Sequence, residues 1–295
     1  MSVAAGAPIR AGCEDRRVRD LELIDCGDGR RLERFGTLVA DRPAPAAIGP
    51  RRDPSAWRAP DLVYERAGAG GRWDRGEALE PWQVTADTLR FELRRAAGGQ
   101  LGLCPEHVST WAGLEQATRG AAARLERPPE VLSLFGYTGG ATLACARAGA
   151  RVAHVDASKP AVAWARRNAE LSRLADRPVR WLVDDARAFV RRERRRGRVY
   201  DGLVVDPPTY GHGAGAWRIE DDLEPLLGDL AALVGPRPSF LLLTAHTPGF
   251  DGERLTGLVR EHLGVGAAAA PLELHARSGA VLRLGASARW TRDRG

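Results

Sequence analysis

Beyond Cys104, short apolar runs recur with room for one helix between each pair: 131–135 (VLSLF), 151–155 (RVAHV), 179–183 (VRWLV), 201–205 (DGLVV) and 239–245 (SFLLLTA). Runs this short suit strands. Strands alternating with helices imply a parallel sheet with both faces covered. One connecting stretch can be checked residue by residue. Ser158 stands where an N-cap belongs and Pro160 suits a first helical turn. Ala161, Trp164, Ala165, Asn168 and Leu171 then share one helical face, with Arg166, Glu170 and Arg173 opposite. The closing stretch LELHARSGAVLRLGASARW reads as two strands around Ser278-Gly279, a hairpin completing the sheet. The expected fold class is α/β, a doubly wound, mostly parallel sheet.

The first third of the chain has a different rhythm. LELIDCGDGRRLERFG places a Gly-Asp-Gly turn between two short strands, and RPAPAAIGPRRDP is a Pro-rich connection. DLVYERAGAGGRWDRG and PWQVTADTLRFELRRAAGGQLGL add further strands around Gly turns. The expected organisation is a disordered tail over 1–17, a small β-rich unit over 18–104 and the α/β domain over 105–292.

Composition narrows the setting. Hydrophobic residues make up 44% of the 295 residues, yet no unbroken apolar run approaches the ~20 residues that span a bilayer. MSVAAGAPIRAG lacks the charged start and apolar core of a signal peptide. A cytoplasmic location without membrane association is expected. Lys+Arg minus Asp+Glu is 44 − 38 = +6, which permits a nucleic-acid partner without requiring one. Lys159 is the single lysine, so the charge reflects an arginine-rich composition more than selection for phosphate binding. Cys13, Cys26, Cys104 and Cys145 are scattered, with no C-x-x-C, and are read as reduced thiols; no metal site is expected. The run RRERRRGR (191–198) reads as the solvated end of a helix, with a grip on RNA backbone as the competing reading.

Ligands of such sheets bind beyond the carboxyl ends of the strands. Three consecutive strand ends carry suggestive residues. LFGYTGG (134–140) offers Gly136, Gly139 and Gly140 for a tight turn that lets backbone approach a ligand. The dinucleotide fingerprint G-x-G-x-x-G is absent, against a nicotinamide-dependent oxidoreductase, and so is the P-loop. Asp156 ends the next strand, where an acid can accept from both ribose hydroxyls or cap a helix. Asp184 and Asp185 end the third, facing an adenine amino group or again capping a helix. A fourth strand end, LVVDPPTY (203–210), stiffens the backbone beside an acid: neither proline can donate to a ladder, and Pro207 drives Asp206 into an extended conformation.

LSLFGYTGG, VDASKPAVAWARRNAEL, LVDDARAFV and LVVDPPTYGHG, in that order and spacing, resemble the class I S-adenosylmethionine-dependent methyltransferases. The branch most similar contains bacterial large-subunit rRNA cytosine and guanine methyltransferases. The resemblance covers roughly residues 85–290. It implies a Rossmann-like seven-stranded sheet whose last strand is antiparallel, and S-adenosyl-L-methionine as cofactor. It places Phe135, Gly136, Tyr137, Thr138, Gly139 and Gly140 under the methionine part, Asp156 on the ribose and Asp185 on the adenine. Ser158, Asp184 and Ala186 line the same end of the pocket. Asp206 with the carbonyls of Pro207 and Pro208 would orient an acceptor, Tyr210 would stack on an extruded base and His212 would assist. LGLCPEH (101–107) resembles a loop that in relatives precedes the cofactor domain and lies near the site, and there Glu106 and His107 stand where relatives carry an acid and a glutamine; His246, like His212, is expected near the cleft. Relatives that methylate cytosine C5 carry a cysteine after the strand that follows the acid–diproline strand. This chain has Thr244, His246 and Thr247 there, so a cysteine-nucleophile mechanism is not expected. The implied substrate is a base of RNA, large-subunit rRNA first; DNA, protein or a small molecule is the alternative.

Overall fold

The structure, a computed structural model, describes residues 20–67, 70–74, 81–211, 216–234 and 238–292. The tail expected over 1–17 lies outside the described residues, as does His212. Seven strands form the main sheet: β8 (Glu130–Leu134), β9 (Arg151–Asp156), β10 (Val179–Val183), β11 (Gly202–Val205), β12 (Phe240–Ala245), β13 (Ala268–His275) and β14 (Val281–Thr291). Their order is β10-β9-β8-β11-β12-β14-β13. The first five pair in parallel, while β14 runs antiparallel to both its neighbours. The doubly wound sheet expected from the alternation, and the antiparallel last strand, are both present.

The order has a consequence for function. The chain lays down β8, β9 and β10 outward in one direction, then returns to put β11 against the other edge of β8. Loops leaving β8 and β11 therefore diverge to opposite faces and open a crevice between them. The register makes the two strand ends adjacent, with Leu134 opposite Val205 and the Asp206 N–H reaching the Leu134 carbonyl at 3.4 Å.

Helices cover both faces, which explains why the central strands are mostly apolar and buried on both sides. Alternation still sorts the side chains. Leu203 and Val205 pack with Phe189, Leu223, Leu226 and Leu255 on one side. Val204, Leu242 and Phe240 pack with Leu114, Ala117 and Cys145 on the other. The covering helices are α1 (Val108–Leu125), α2 (Gly140–Arg147), α3 (Lys159–Leu171), α4 (Ala186–Arg195), α5 (Ile219–Ala231) and α6 (Gly252–Leu263). Ser158 caps α3 by accepting from the Ala161 N–H. Most of the arginine run is paired locally at the end of α4: Arg192 with Asp184, Arg194 with Asp229 at 2.8 Å and Arg196 with Glu193 at 2.9 Å. No described helix is long and apolar enough to cross a membrane.

The N-terminal unit is a five-stranded sheet, β1 (Leu21–Gly27), β2 (Arg30–Phe35), β3 (Leu38–Pro43), β4 (Leu62–Ala67) and β5 (Gly70–Asp74), plus a hairpin of β6 (Trp82–Ala86) and β7 (Leu89–Leu93). Asp28 and Gly29 both have positive φ, as a two-residue hairpin turn requires. The unit is fastened at two places. On one side β7 lies on α3, where the Glu92 N–H donates to Asn168 Oδ1 at 2.9 Å and Trp164 Nε1 donates to the Glu92 carbonyl at 2.8 Å. On the other, the β13–β14 hairpin tip meets β1: the Arg277 N–H donates to the Leu23 carbonyl and Ser278 Oγ donates to Asp25 Oδ1. Asp25 is wholly buried; burial acts to raise its pKa, but donors from Ser278, Trp57 and the Asp53 N–H outweigh it and hold it below the usual carboxylate range. Between β7 and α1 the chain makes one 3₁₀ turn, Pro105–His107, which lies over the carboxyl ends of the sheet.

Candidate active site

One wall of the crevice is the turn from β8 into α2. Phe135, Tyr137 and Gly139 all have positive φ, two of them as non-glycine residues, a strain that packed surroundings must enforce. Those surroundings are visible. The Gly136 N–H donates to the Val155 carbonyl, Thr138 Oγ1 donates to the Gly102 carbonyl at 2.6 Å and Asn168 Nδ2 donates to the Thr138 carbonyl at 2.9 Å. A Cβ on Gly136 would run into the His154 ring, and one on Gly140 into Trp111. The turn is thus held from below and behind, with its backbone toward the crevice.

Asp156, ending β9, accepts from the Tyr137 N–H at 2.9 Å on one oxygen and from the Ser158 N–H at 2.8 Å on the other. Burial raises its pKa against these two donors. Each oxygen keeps a lone pair for a further donor such as a ribose hydroxyl. The third strand end behaves differently. Asp185 caps α4 through the Ala188 N–H at 2.9 Å and touches Arg187. Burial works to raise its pKa, but those partners hold it below the usual range. Asp184 pairs with Arg192. Ala186 is buried in the first turn of α4. Both acids of this third strand end are engaged with the helix or its arginines.

The other wall is the corner after β11. Thr244 Oγ1 donates to Asp206 Oδ1, and the carboxylate remains about one-third exposed. Pro207 is buried and Pro208 exposed. The Pro208 carbonyl accepts from Trp217 Nε1 at 2.7 Å, and Thr209 and Thr247 share a hydrogen bond at 2.7 Å. Trp217 also packs against Phe135 with ring centroids 4.8 Å apart, joining this corner to the glycine turn. Tyr210 is 59% exposed, with the Arg218 guanidinium 5.9 Å from its ring centre. Asp206, Phe135, Gly136, Tyr137, Thr138 and Gly140 line one cavity.

Three residues not counted among the expected site residues also reach this place. His107 and His246 face each other with Nε2 atoms 2.8 Å apart, and both approach Asp206, at 3.6 and 3.7 Å. Cys104 lines the cavity as well. Burial, reinforced by the Glu106 and Asp206 carboxylates, pushes its thiol far above the usual range, the opposite of what a nucleophilic thiolate needs. Cys145, within α2, is buried and its thiol pushed up to about 12.

A family model described as S-adenosylmethionine-dependent methyltransferase matches residues 55–256. The chain belongs to that family. The donor its members use fits the crevice: a carboxylate with spare lone pairs at the end of β9, and a strained turn whose glycines leave no space for a side chain behind it. A crystal structure of a methyltransferase of this kind from Agrobacterium tumefaciens is 35% identical with a TM-score of 0.85, covering 94% of this chain and 91% of that one. Among curated proteins, ribosomal RNA large subunit methyltransferase I from Pseudoalteromonas translucida is 30% identical over 205 residues, 65% of this chain and 50% of the relative. Its counterpart from Salmonella arizonae is 29% identical over 152 residues, 50% of this chain and 38% of the relative. The chain spans half or less of the length of these curated relatives. The family shown is thus that of the S-adenosylmethionine-dependent methyltransferases.

Proposed function

We propose that this methyltransferase modifies a base of RNA, with large-subunit ribosomal RNA the first candidate, and does so without a cysteine intermediate. The observation that carries the reading is the meeting, at one switch point, of the glycine turn and the acid–diproline corner, with Asp206 open to their common cavity. The exposed Tyr210 beside Arg218 and the names of the curated relatives support nucleic acid as substrate.

In this reading Phe135 to Gly140 bed the methionine part of the donor, Asp156 holds the ribose, and Ser158, Asp184, Asp185 and Ala186 border the adenine. When bound, the donor supplies the electrophile, a methyl group on a sulfonium sulfur. The protein's share is positioning and exclusion of water. Asp206, with Oδ1 held by Thr244, keeps Oδ2 to accept from an amino or ring N–H, which turns the nitrogen lone pair toward the methyl. The Pro208 carbonyl already serves Trp217, so it stiffens the corner first and receives the base second. Tyr210 supplies a stacking face for an extruded base. His212 stays a candidate contact on the segment between them.

Transfer of labelled methyl groups to fractionated cellular RNA, DNA, protein and small molecules tests the assignment. Label in large-subunit rRNA, abolished by Asp206→Ala, is the expected result. Label confined to another fraction overturns the RNA reading while leaving the enzyme class intact.

A further inference from the structure

No metal is expected from the sequence, because the cysteines have no ligand spacing. The fold nevertheless brings Glu106, His107 and His246 together so that one ligand-type atom from each lies within 4.8 Å of the others. Residues 106 and 107 belong to the 3₁₀ turn before α1, and His246 follows β12. We propose that these three residues form a site for one divalent cation of the zinc class, at the acceptor side of the methyl-transfer cavity. The proposal does not depend on what the acceptor is.

Three independent features point to a cation. Glu106 is 5% exposed, and its Oε2 has no hydrogen-bond partner. A buried carboxylate oxygen left unpaired is costly, and an ion removes the cost. The Arg31 guanidinium is stabilised by the Glu106 charge yet donates no hydrogen bond to that oxygen. Second, His246 Nδ1 lies 2.9 Å from the Leu284 carbonyl. A carbonyl only accepts, so Nδ1 carries the proton and Nε2 of the neutral ring offers its lone pair to the cavity. That arrangement, one ring nitrogen tied to a backbone carbonyl and the other turned into the cavity, where it now meets His107 Nε2, is how proteins orient a ligating histidine. Third, His107 Nε2 points at the same spot.

The geometry is close to what zinc requires. Two Zn–N bonds of about 2.0–2.1 Å at a tetrahedral angle put the nitrogens about 3.3 Å apart. The 2.8 Å separation of the two Nε2 atoms has to open by about half an ångström on binding, and the proton that His107 Nε2 donates in that contact has to leave it, to His107 Nδ1 or to solvent. Two imidazoles and one carboxylate is a donor set of catalytic zinc sites, which leave a coordination position open. Here that position faces Asp206, whose oxygens lie 3.6 and 3.7 Å from the two nitrogens. An ion at this point would meet a ring nitrogen or carbonyl of the acceptor directly.

The test uses tag-free, chelator-treated full-length protein and needs no acceptor. Calorimetric titration with Zn²⁺ is expected to give one ion per chain, and Co²⁺ in its place visible ligand-field bands. His107→Gln and His246→Gln abolish both signals, and Glu106→Gln weakens Zn²⁺ binding at least tenfold, while all three variants keep wild-type affinity for S-adenosylmethionine as evidence of folding. Should a variant fail that control, Co²⁺ bands in the wild type, displaced by one equivalent of Zn²⁺, decide the matter. Absence of stoichiometric binding, or binding unchanged in the folded variants, overturns the site. Loss in the histidine variants with Glu106→Gln unchanged overturns the three-ligand assignment.

Discussion

The two walls of the crevice are built on opposite principles. On the glycine-turn side nearly every polar group is spoken for: the Thr138 hydroxyl goes to Gly102, its carbonyl to Asn168, and both Asp156 oxygens to backbone N–H groups. On the acid–diproline side the Asp206 carboxylate is held on one oxygen and open on the other, two imidazoles face it, and Tyr210 projects into solvent. A wall that meets the same ligand in every turnover can be finished before the ligand arrives. A wall that receives an acceptor has to keep donors and acceptors in reserve. Strain follows the same division, since the non-glycine residues Phe135 and Tyr137 at positive φ both belong to the finished wall.

Substitutions can break this contrast. Asp206→Ala removes the reserved acceptor, and methyl transfer is expected to fall by about 10²-fold or more, the cost of a misplaced nucleophile. Single-turnover assays at saturating donor measure it. The next largest effect concerns His154, buried beneath the glycine turn, where burial lowers its pKa from 6.5 to about 4. Below pH 6.5 the unfolded chain binds a proton that the folded chain refuses. Stability present above that pH is therefore lost as pH falls to about 4, by about 3 kcal/mol at the limit. Denaturant titrations across that range, compared with His154→Phe or His154→Leu, check the sign and size. Gly140→Ala presses a methyl against Trp111, and overpacking costs about 1–3 kcal/mol with weaker donor binding, read by thermal unfolding and calorimetry. Tyr210→Ala, on the open wall, should change stability by less than about 0.5 kcal/mol. It should still raise the apparent KM for a nucleic-acid acceptor about tenfold, the worth of one lost stack.

The same contrast explains what could be read in advance. Strands such as 179–183 and the α3 helix with its Ser158 cap are local patterns, and the structure has them where periodicity and capping put them. The loops at the ends of β8, β9 and β11 could be located because the rule for parallel sheets says where ligands go. Non-local pairings were invisible. The resemblance puts the LGLCPEH loop and His246 near the site, but nothing in the residues announces that a 3₁₀ turn brings His107 onto His246, 139 positions away, or that Cys104 lines the cavity. The Trp217 indole that takes the Pro208 carbonyl comes from the far side of a connection between β11 and α5. Asp185 shows the limit of local reading, since an acid at a strand end before a helix suits a ligand and a cap equally; it caps α4, and a cap does not exclude the ligand.

The account stands most directly on equilibrium titration of S-adenosylmethionine into Asp156→Ala and Asp206→Ala side by side. If one wall is finished for the donor and the other reserved for the acceptor, the first variant loses at least tenfold in affinity and the second stays within about threefold of the parent. Equal losses in both, or a larger loss in the second, would contradict the division.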